Sequence, residues 1–196
     1  MLFAPRPLVT VPGARRFQER GGRRLLWGCA VGVLVFGVAE LPALARMSSH
    51  GASVLGFELA GSTQRLREIL GQWGATGRGA AGEHVLIDLG FIACYGALLF
   101  GACSRLASRF EERRQPRAAT VAAVMTWAGL TAAAINLAQK ILLWLELHGH
   151  LAQPLPGLAA VCGVLTIVLG LSAALFALGG ALALRRSPTA IPNGGA

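Results

Sequence analysis

Among the charged residues inside long apolar stretches of the sequence, Glu40, Asp88 and Lys140 are the candidates for chemistry. Charged side chains within membrane-spanning helices are unfavourable, usually face the protein interior, and often belong to functional sites. A carboxylate and an ammonium that meet in a poorly hydrated place offset each other's desolvation, whereas either alone tends to become neutral. The sequence therefore predicts an ion pair between Asp88 and Lys140, with Glu40 as a further acid nearby.

Helical spacing gives these charges two polar neighbours. Asp88 and Tyr95 are seven residues apart, and Asn136 and Lys140 are four apart, so each pair shares one face of a helix. We therefore define a candidate polar cluster that consists of Glu40, Asp88, Tyr95, Asn136 and Lys140. Any binding or chemical activity of this chain is expected there.

The sequence leaves several interpretations of the polar cluster open. It can be a structural clamp, a pocket for a ligand or substrate, or a set of independent residues that reach water at the membrane interface. In an intramembrane enzyme, Asp88 or Glu40 would be the acid-base group, and Lys140 or Tyr95 would stabilise charge. In a small proton-coupled transporter, Glu40 and Asp88 would titrate. Both active interpretations require a cavity that reaches Asp88.

Other chemistry has weaker support in the sequence. The four histidines could bind a metal together with Glu83 and Glu146, but their spacing is unspecific and no metal site is predicted. The four cysteines lie in apolar segments without a C-x-x-C pair, which favours packing roles. No common catalytic motif is present, so the sequence names neither an activity nor a cofactor.

Four apolar runs must position the polar cluster. The chain is 54% hydrophobic and only 14% charged, with a mean hydropathy of +0.57, which is well above the balance of a soluble domain. Windows of about 19 residues predict membrane spans at about 25–45, 85–104, 118–147 and 158–184.

Basic residues predict the orientation of these spans. Six Lys or Arg residues precede the first span, five lie between the second and third, and two follow the fourth, whereas the last connection has none. The positive-inside rule then places both termini in the cytoplasm, with the spans in a bacterial plasma membrane. At about 1.5 Å per residue, the cluster lies roughly 24 to 34 Å from the cytoplasmic side, near the outer face. This topology and anionic lipid account for the net charge of +9, so no nucleic-acid partner is expected.

The long loop between the first two spans contains an amphipathic pattern at residues 63–73. Ser62 or Thr63 can cap the start of this helix, and Gly74 can end it. Its apolar positions recur at helical spacing and are Leu66, Ile69, Leu70 and Trp73. The pattern predicts an interfacial helix that lies at the outer membrane surface or covers the mouth of the bundle, with Trp73 suited to the headgroup level.

The membrane domain is predicted to cover residues 25–184, between disordered cytoplasmic tails at 1–24 and 185–196. Ala43-Leu44-Ala45 also fits a signal-peptidase site, which would make the first span a cleaved signal peptide. The apolar run is about 20 residues long, whereas the apolar region of a signal peptide usually has 7 to 15 residues. A retained span is therefore favoured.

One part of the sequence resembles a known family of proteins. The run FELAGSTQRLREILGQWG, followed by IDLGFIACYG, resembles an uncharacterised family of bacterial four-span membrane proteins. The matching features are an amphipathic outer helix that ends at Trp73 and Gly74, then Asp88 and Tyr95 seven residues apart in the second span. The resemblance implies the fold and the number of spans, and it implies no activity.

The sequence thus predicts an all-α protein: a transmembrane four-helix bundle with one amphipathic interfacial helix. Besides the lipid bilayer itself, the expected partner is a lipid, a small hydrophobic ligand, another membrane protein or a second copy of the chain, bound at the outer polar cluster.

Overall fold

The computed structural model describes residues 20–186, which contain helices and no strand. The five helices are α1 (Arg20–Ser49), α2 (Val54–Glu58), α3 (Thr63–Glu112), α4 (Pro116–Leu147) and α5 (Leu155–Arg186). All but α2 are long and apolar enough to cross a membrane, which confirms the predicted number of spans. Most of each predicted tail, residues 1–19 and 187–196, lies outside the described residues.

Helix α3 contains both the predicted amphipathic helix and the second span. Ser62 caps its start, since its Oγ accepts a hydrogen bond from the Arg65 amide at 3.3 Å. Gly74 interrupts the helix with φ 57° and ψ −156°, and the Arg78 side chain donates to the Leu70 carbonyl beside this break at 3.1 Å. The predicted cap and stop are therefore present, but residues 75–84 are helical instead of forming a loop.

The apolar face of residues 63–73 packs into the protein. Leu66, Ile69, Leu70 and Trp73 are all buried in one core with Phe57 and Met47. The Trp73 ring lies 5.0 Å from that of Phe57, and its Nε1 donates to the Ala52 carbonyl at 3.1 Å. The indole N–H of Trp73 is therefore satisfied inside the fold, and the level of Trp73 relative to the lipid head groups stays a prediction. A position of this helix at the membrane interface stays a prediction.

The long helices pack in the order α1, α3, α4, α5. Helix α3 contacts α1, α4 and, less extensively, α5, and α4 contacts α5. Small residues permit this approach: a methyl group at Gly96 would lie 2.7 Å from the Ala133 side chain across the interface of α3 and α4. No extensive contact joins α1 to α5 within residues 20–186. The short helix α2 contacts α1, α3 and α5, so it spans the gap between α1 and α5.

Candidate ligand-binding site

A cavity of about 360 Å³ is lined by residues from all five helices. Its less polar side consists of Leu44, Val54, Leu55, Gly163, Thr166 and Ile167. Its polar side consists of Glu40, Glu58, His84, Asp88, Asn136, Gln139 and Lys140. Leu55 on α2 is 60% exposed and Ile167 on α5 is 49% exposed, so the cavity opens between these two helices.

The Lys140 ammonium is bound by two carboxylates. Its Nζ lies 2.7 Å from Asp88 Oδ2, which is the pair that helical spacing predicted. It also forms an ion pair with Glu58 Oε1 from α2, which the sequence analysis did not anticipate. The lysine side chain is only 3% exposed, so these two carboxylates compensate the loss of water around the charge.

His84 lies between two further carboxylates. Its Nε2 is 3.3 Å from Glu58 Oε1, and its Nδ1 is 3.7 Å from Glu40 Oε2, which is too long for a hydrogen bond. The His84 side chain is 5% exposed and that of Glu40 is 13% exposed. His84 Nδ1 and Glu40 Oε1 are both buried without a hydrogen-bond partner among the described residues. Two residues that line the cavity therefore carry buried polar atoms without a partner.

Two amides complete the polar side of the cavity. The Asn136 side chain donates to the Tyr95 hydroxyl at 3.3 Å, and the Gln139 side chain reaches the Glu58 carbonyl at 3.5 Å. Tyr95 lies behind Asn136 and does not itself line the cavity. Four of the five residues predicted for the polar cluster thus line one cavity, and Tyr95 supports it from behind.

The local fold explains why Glu58 reaches this site. Gly51 and Gly61, with φ of 97° and 66°, turn the chain before and after α2. Ser53 caps α2, because its Oγ accepts from the Gly56 amide at 3.1 Å. Phe57 is buried against Trp73, which fixes the neighbouring Glu58 at the edge of the cavity.

Glu58 is an anion at neutral pH. Burial alone would raise the pKa of its carboxyl group, but hydrogen bonds from His84 and Lys140 and the positive charge of Lys140 lower that pKa to about 2. Glu58 therefore supplies a permanent negative charge to the cavity.

Sequence reasoning missed Glu58, His84 and Gln139. A signal for His84 was available, because it precedes Asp88 by four residues and so shares its helix face. Glu58 is the single charge in the apolar segment 52–60. Periodicity could not show that this segment folds back over the helices.

A trio of possible metal ligands occurs within the cluster. One ligand atom each from Glu58, His84 and Asp88 lies within 4.8 Å of the others. The Lys140 ammonium already contacts Glu58 and Asp88, so the chain provides its own cation between these carboxylates. A metal ion would have to displace Lys140 to use all three ligands.

Comparisons with protein-family models, curated proteins and solved structures found no match for this chain. The function must therefore be inferred from the chemistry of the cavity.

Proposed function

We propose that this protein is a multi-pass membrane protein that binds a lipid or another small amphiphile in the cavity that all five helices line. One observation carries the proposal: a cavity of about 360 Å³ joins apolar walls to a buried polar cluster in which His84 Nδ1 and Glu40 Oε1 lack partners. Ligand sites commonly combine a mostly apolar lining with a few polar groups and occupy about 300–1,000 Å³.

The cavity favours a ligand over a purely structural clamp. An ion pair that only holds helices together needs no space beside it, and protein interiors are otherwise packed with few voids. Here the Asp88–Lys140 pair borders open volume. The same observation favours a small molecule over a protein partner, because a protein partner would use an exposed face and not a cavity.

A ligand can reach this cavity from the bilayer. The outward faces of α1 and α5 expose many large apolar side chains, among them Leu34, Val38, Leu41, Val164, Val168 and Leu171. These faces suit lipid tails, and the mouth of the cavity between α2 and α5 opens beside them. An amphiphile would keep its tail among these side chains and place its head group against the polar cluster.

The predicted topology completes this proposal. With both termini in the cytoplasm of a bacterial cell, the cavity lies toward the outer face of the plasma membrane. Helix α1 supplies Glu40, so the proposal also requires that α1 is retained and not removed as a signal peptide.

An enzyme or a proton-coupled transporter would use the same cavity. Asp88 and Lys140 bind each other, and Tyr95 accepts the hydrogen bond from Asn136. Glu40 is left as the carboxyl group available for acid-base work. Ligand binding is the step common to all three functions, and it is the one we propose.

Native mass spectrometry of the protein released from a mild detergent tests the proposal. We expect retained lipid or another amphiphile on the unchanged protein. Leu55→Trp at the mouth of the cavity should reduce that retention several-fold. Leu86→Trp is the matched control, since Leu86 is equally exposed on α3 but does not line the cavity. An empty protein, or equal retention by both variants, would contradict the proposal.

A further inference from the structure

We infer that the head group selected by this cavity is a cation, namely an ammonium group carried by an amphiphile. The inference rests on the proposed function and specifies its ligand. It follows from the charge balance of the cluster, the positions of its unpartnered acceptors and the lining of the cavity.

Carboxyl groups outnumber cations in the cavity. Glu40, Glu58 and Asp88 face Lys140, and His84 is the one other lining group that can carry positive charge. Glu40 also lies close enough to Asp88 for their carboxyl groups to interact. Uncompensated charge is unfavourable where water is scarce, so an arriving cation would stabilise the site.

The position for that cation lies where Glu40 and His84 adjoin the cavity. Glu58 is anionic and faces His84 Nε2, so this nitrogen carries the ring hydrogen and donates to it. In the neutral ring, Nδ1 then presents a lone pair. Nδ1 lies 3.7 Å from Glu40 Oε2, and no donor of the described chain bonds it there. An ammonium group has several N–H donors and no acceptor, which suits two neighbouring acceptors.

The cluster already binds one ammonium group in this manner. Lys140 Nζ is held by Asp88 and Glu58, with the Asp88 contact at 2.7 Å. Glu40 and His84 offer a second, adjacent set of acceptors to which no N–H donor of the described chain is hydrogen-bonded. A cationic head group would therefore repeat an interaction that the fold itself uses.

The same lining disfavours anions and metal ions. Lys140 is the one Lys or Arg side chain among the lining residues, and both of its carboxylate partners are in place, so an anionic head group finds no free cation. A metal ion would find only Glu40 and His84 free, whereas metal sites usually use three or more protein ligands. The apolar wall and the volume of about 360 Å³ suit a ligand that also carries hydrocarbon.

Three probes of equal chain length test the charge preference. Decylammonium, decanol and decanoate would be titrated into the purified full-length protein, with binding followed by native mass spectrometry. We expect decylammonium to bind about tenfold more tightly than decanol, as a charge-assisted hydrogen bond in a buried site should provide. Decanoate should bind most weakly.

Glu40→Gln should abolish the preference of the cavity for decylammonium over decanol. Glu146→Gln is the matched control, because Glu146 is a buried carboxyl on α4 that does not line the cavity. Thermal unfolding of each variant would verify the fold, and the probe series on the unchanged protein stands even if a variant fails to fold.

The outcomes separate the two proposals. Equal binding of decylammonium and decanol would overturn the ammonium site and leave amphiphile binding intact. Binding of none of the three probes would contradict both. Stoichiometric binding of Zn²⁺ or Mn²⁺ that displaces decylammonium and is lost in Glu40→Gln would replace the ammonium site with a metal site.

Discussion

Glu58 forms an ion pair with Lys140, although the two residues are 82 positions apart and Glu58 lies on a helix of only five residues. This contact fastens α2 to α4 at the edge of the cavity. Asp88 binds the same ammonium from α3, so a single lysine holds three elements together. The cover of the cavity and its charge balance therefore depend on one buried side chain.

Replacing Lys140 with alanine should destabilise the protein strongly. It would leave the carboxylates of Glu58 and Asp88 facing each other without their cation, and breaking a buried pair in this way typically costs about 3–5 kcal/mol. The measurement is thermal unfolding in detergent. Arg65→Ala is the control, since its exposed pair with Glu68 should contribute less than about 1 kcal/mol.

Neutral substitutions at Asp88 and Glu58 should partly restore the stability of the Lys140→Ala variant. Lys140→Ala with Asp88→Asn still leaves Glu58 charged, so the additional change Glu58→Gln should restore more stability than the double variant does. Equal stability of the unchanged protein and the Lys140→Ala variant would refute the clamp.

Acid should loosen α2 before it unfolds the rest. The pKa of Glu58 is lowered from 4.5 to about 2, so its contribution to stability is complete above pH 4.5 and is lost as the pH falls through about 2. The loss is on the order of 3 kcal/mol. Unfolding measured between pH 6 and pH 2 should show this dependence, and Glu58→Gln should flatten it. An equally steep profile in that variant would assign the effect to other carboxyl groups.

The pairing of Asp88 with Lys140 could be predicted from the sequence, for a geometric reason. Asp88 and Lys140 lie on long helices whose depth can be counted from flanking arginines, and their pairing follows from that depth. Glu58 lies on a segment whose path depends on positive φ angles at Gly51 and Gly61 and on the burial of Phe57. Such tertiary contacts leave no periodic signal in the sequence.

The fold differs from expectation for a similar reason. Four apolar runs give four helices, but hydropathy does not indicate which helices touch. The packing of α1 on α3 depends on individual contacts such as Phe36 against Gly90, and α1 makes no extensive contact with α5 within the described residues. The amphipathic pattern of residues 63–73 predicted a helix that covers the bundle or lies on the membrane. Such a pattern cannot show whether the apolar face packs against protein or against lipid.

Gly74→Ala should strain the bend in α3. Gly74 has φ 57° and ψ −156°, which lies in a region that is essentially restricted to glycine, so alanine there should cost about 1–3 kcal/mol although no side chain obstructs it. Gly71→Ala is the control, because Gly71 is an ordinary helical glycine with equally open space. It should be neutral or stabilising by up to about 1 kcal/mol. Equal stability of the two variants would mean that the bend at Gly74 is not required.

Cysteine labelling should reveal the orientation of the spans. Gln115 and His150 are exposed at opposite ends of α4. If the termini are cytoplasmic, a membrane-impermeant maleimide added to intact cells should label His150→Cys, and it should label Gln115→Cys only after the membrane is opened. Labelling of the unchanged protein is the control, because it measures how far the protein's own cysteines react with the maleimide. The reverse pattern would place the cavity on the cytoplasmic side.

Helix α1 should be the element most easily displaced, because it packs mainly on α3 and is otherwise largely exposed. The Phe36 ring occupies the space that a side chain at Gly90 would fill, so Gly90→Leu should push α1 outward and carry Glu40 away from His84. We expect this variant to lose retained amphiphile and any preference for decylammonium, while α3, α4 and α5 stay folded by circular dichroism. Gly28→Leu on the open side of α1 is the matched control and should bind normally. Normal binding by Gly90→Leu would show that the cavity does not need α1, in which case Glu40 could not be the group that binds the ammonium.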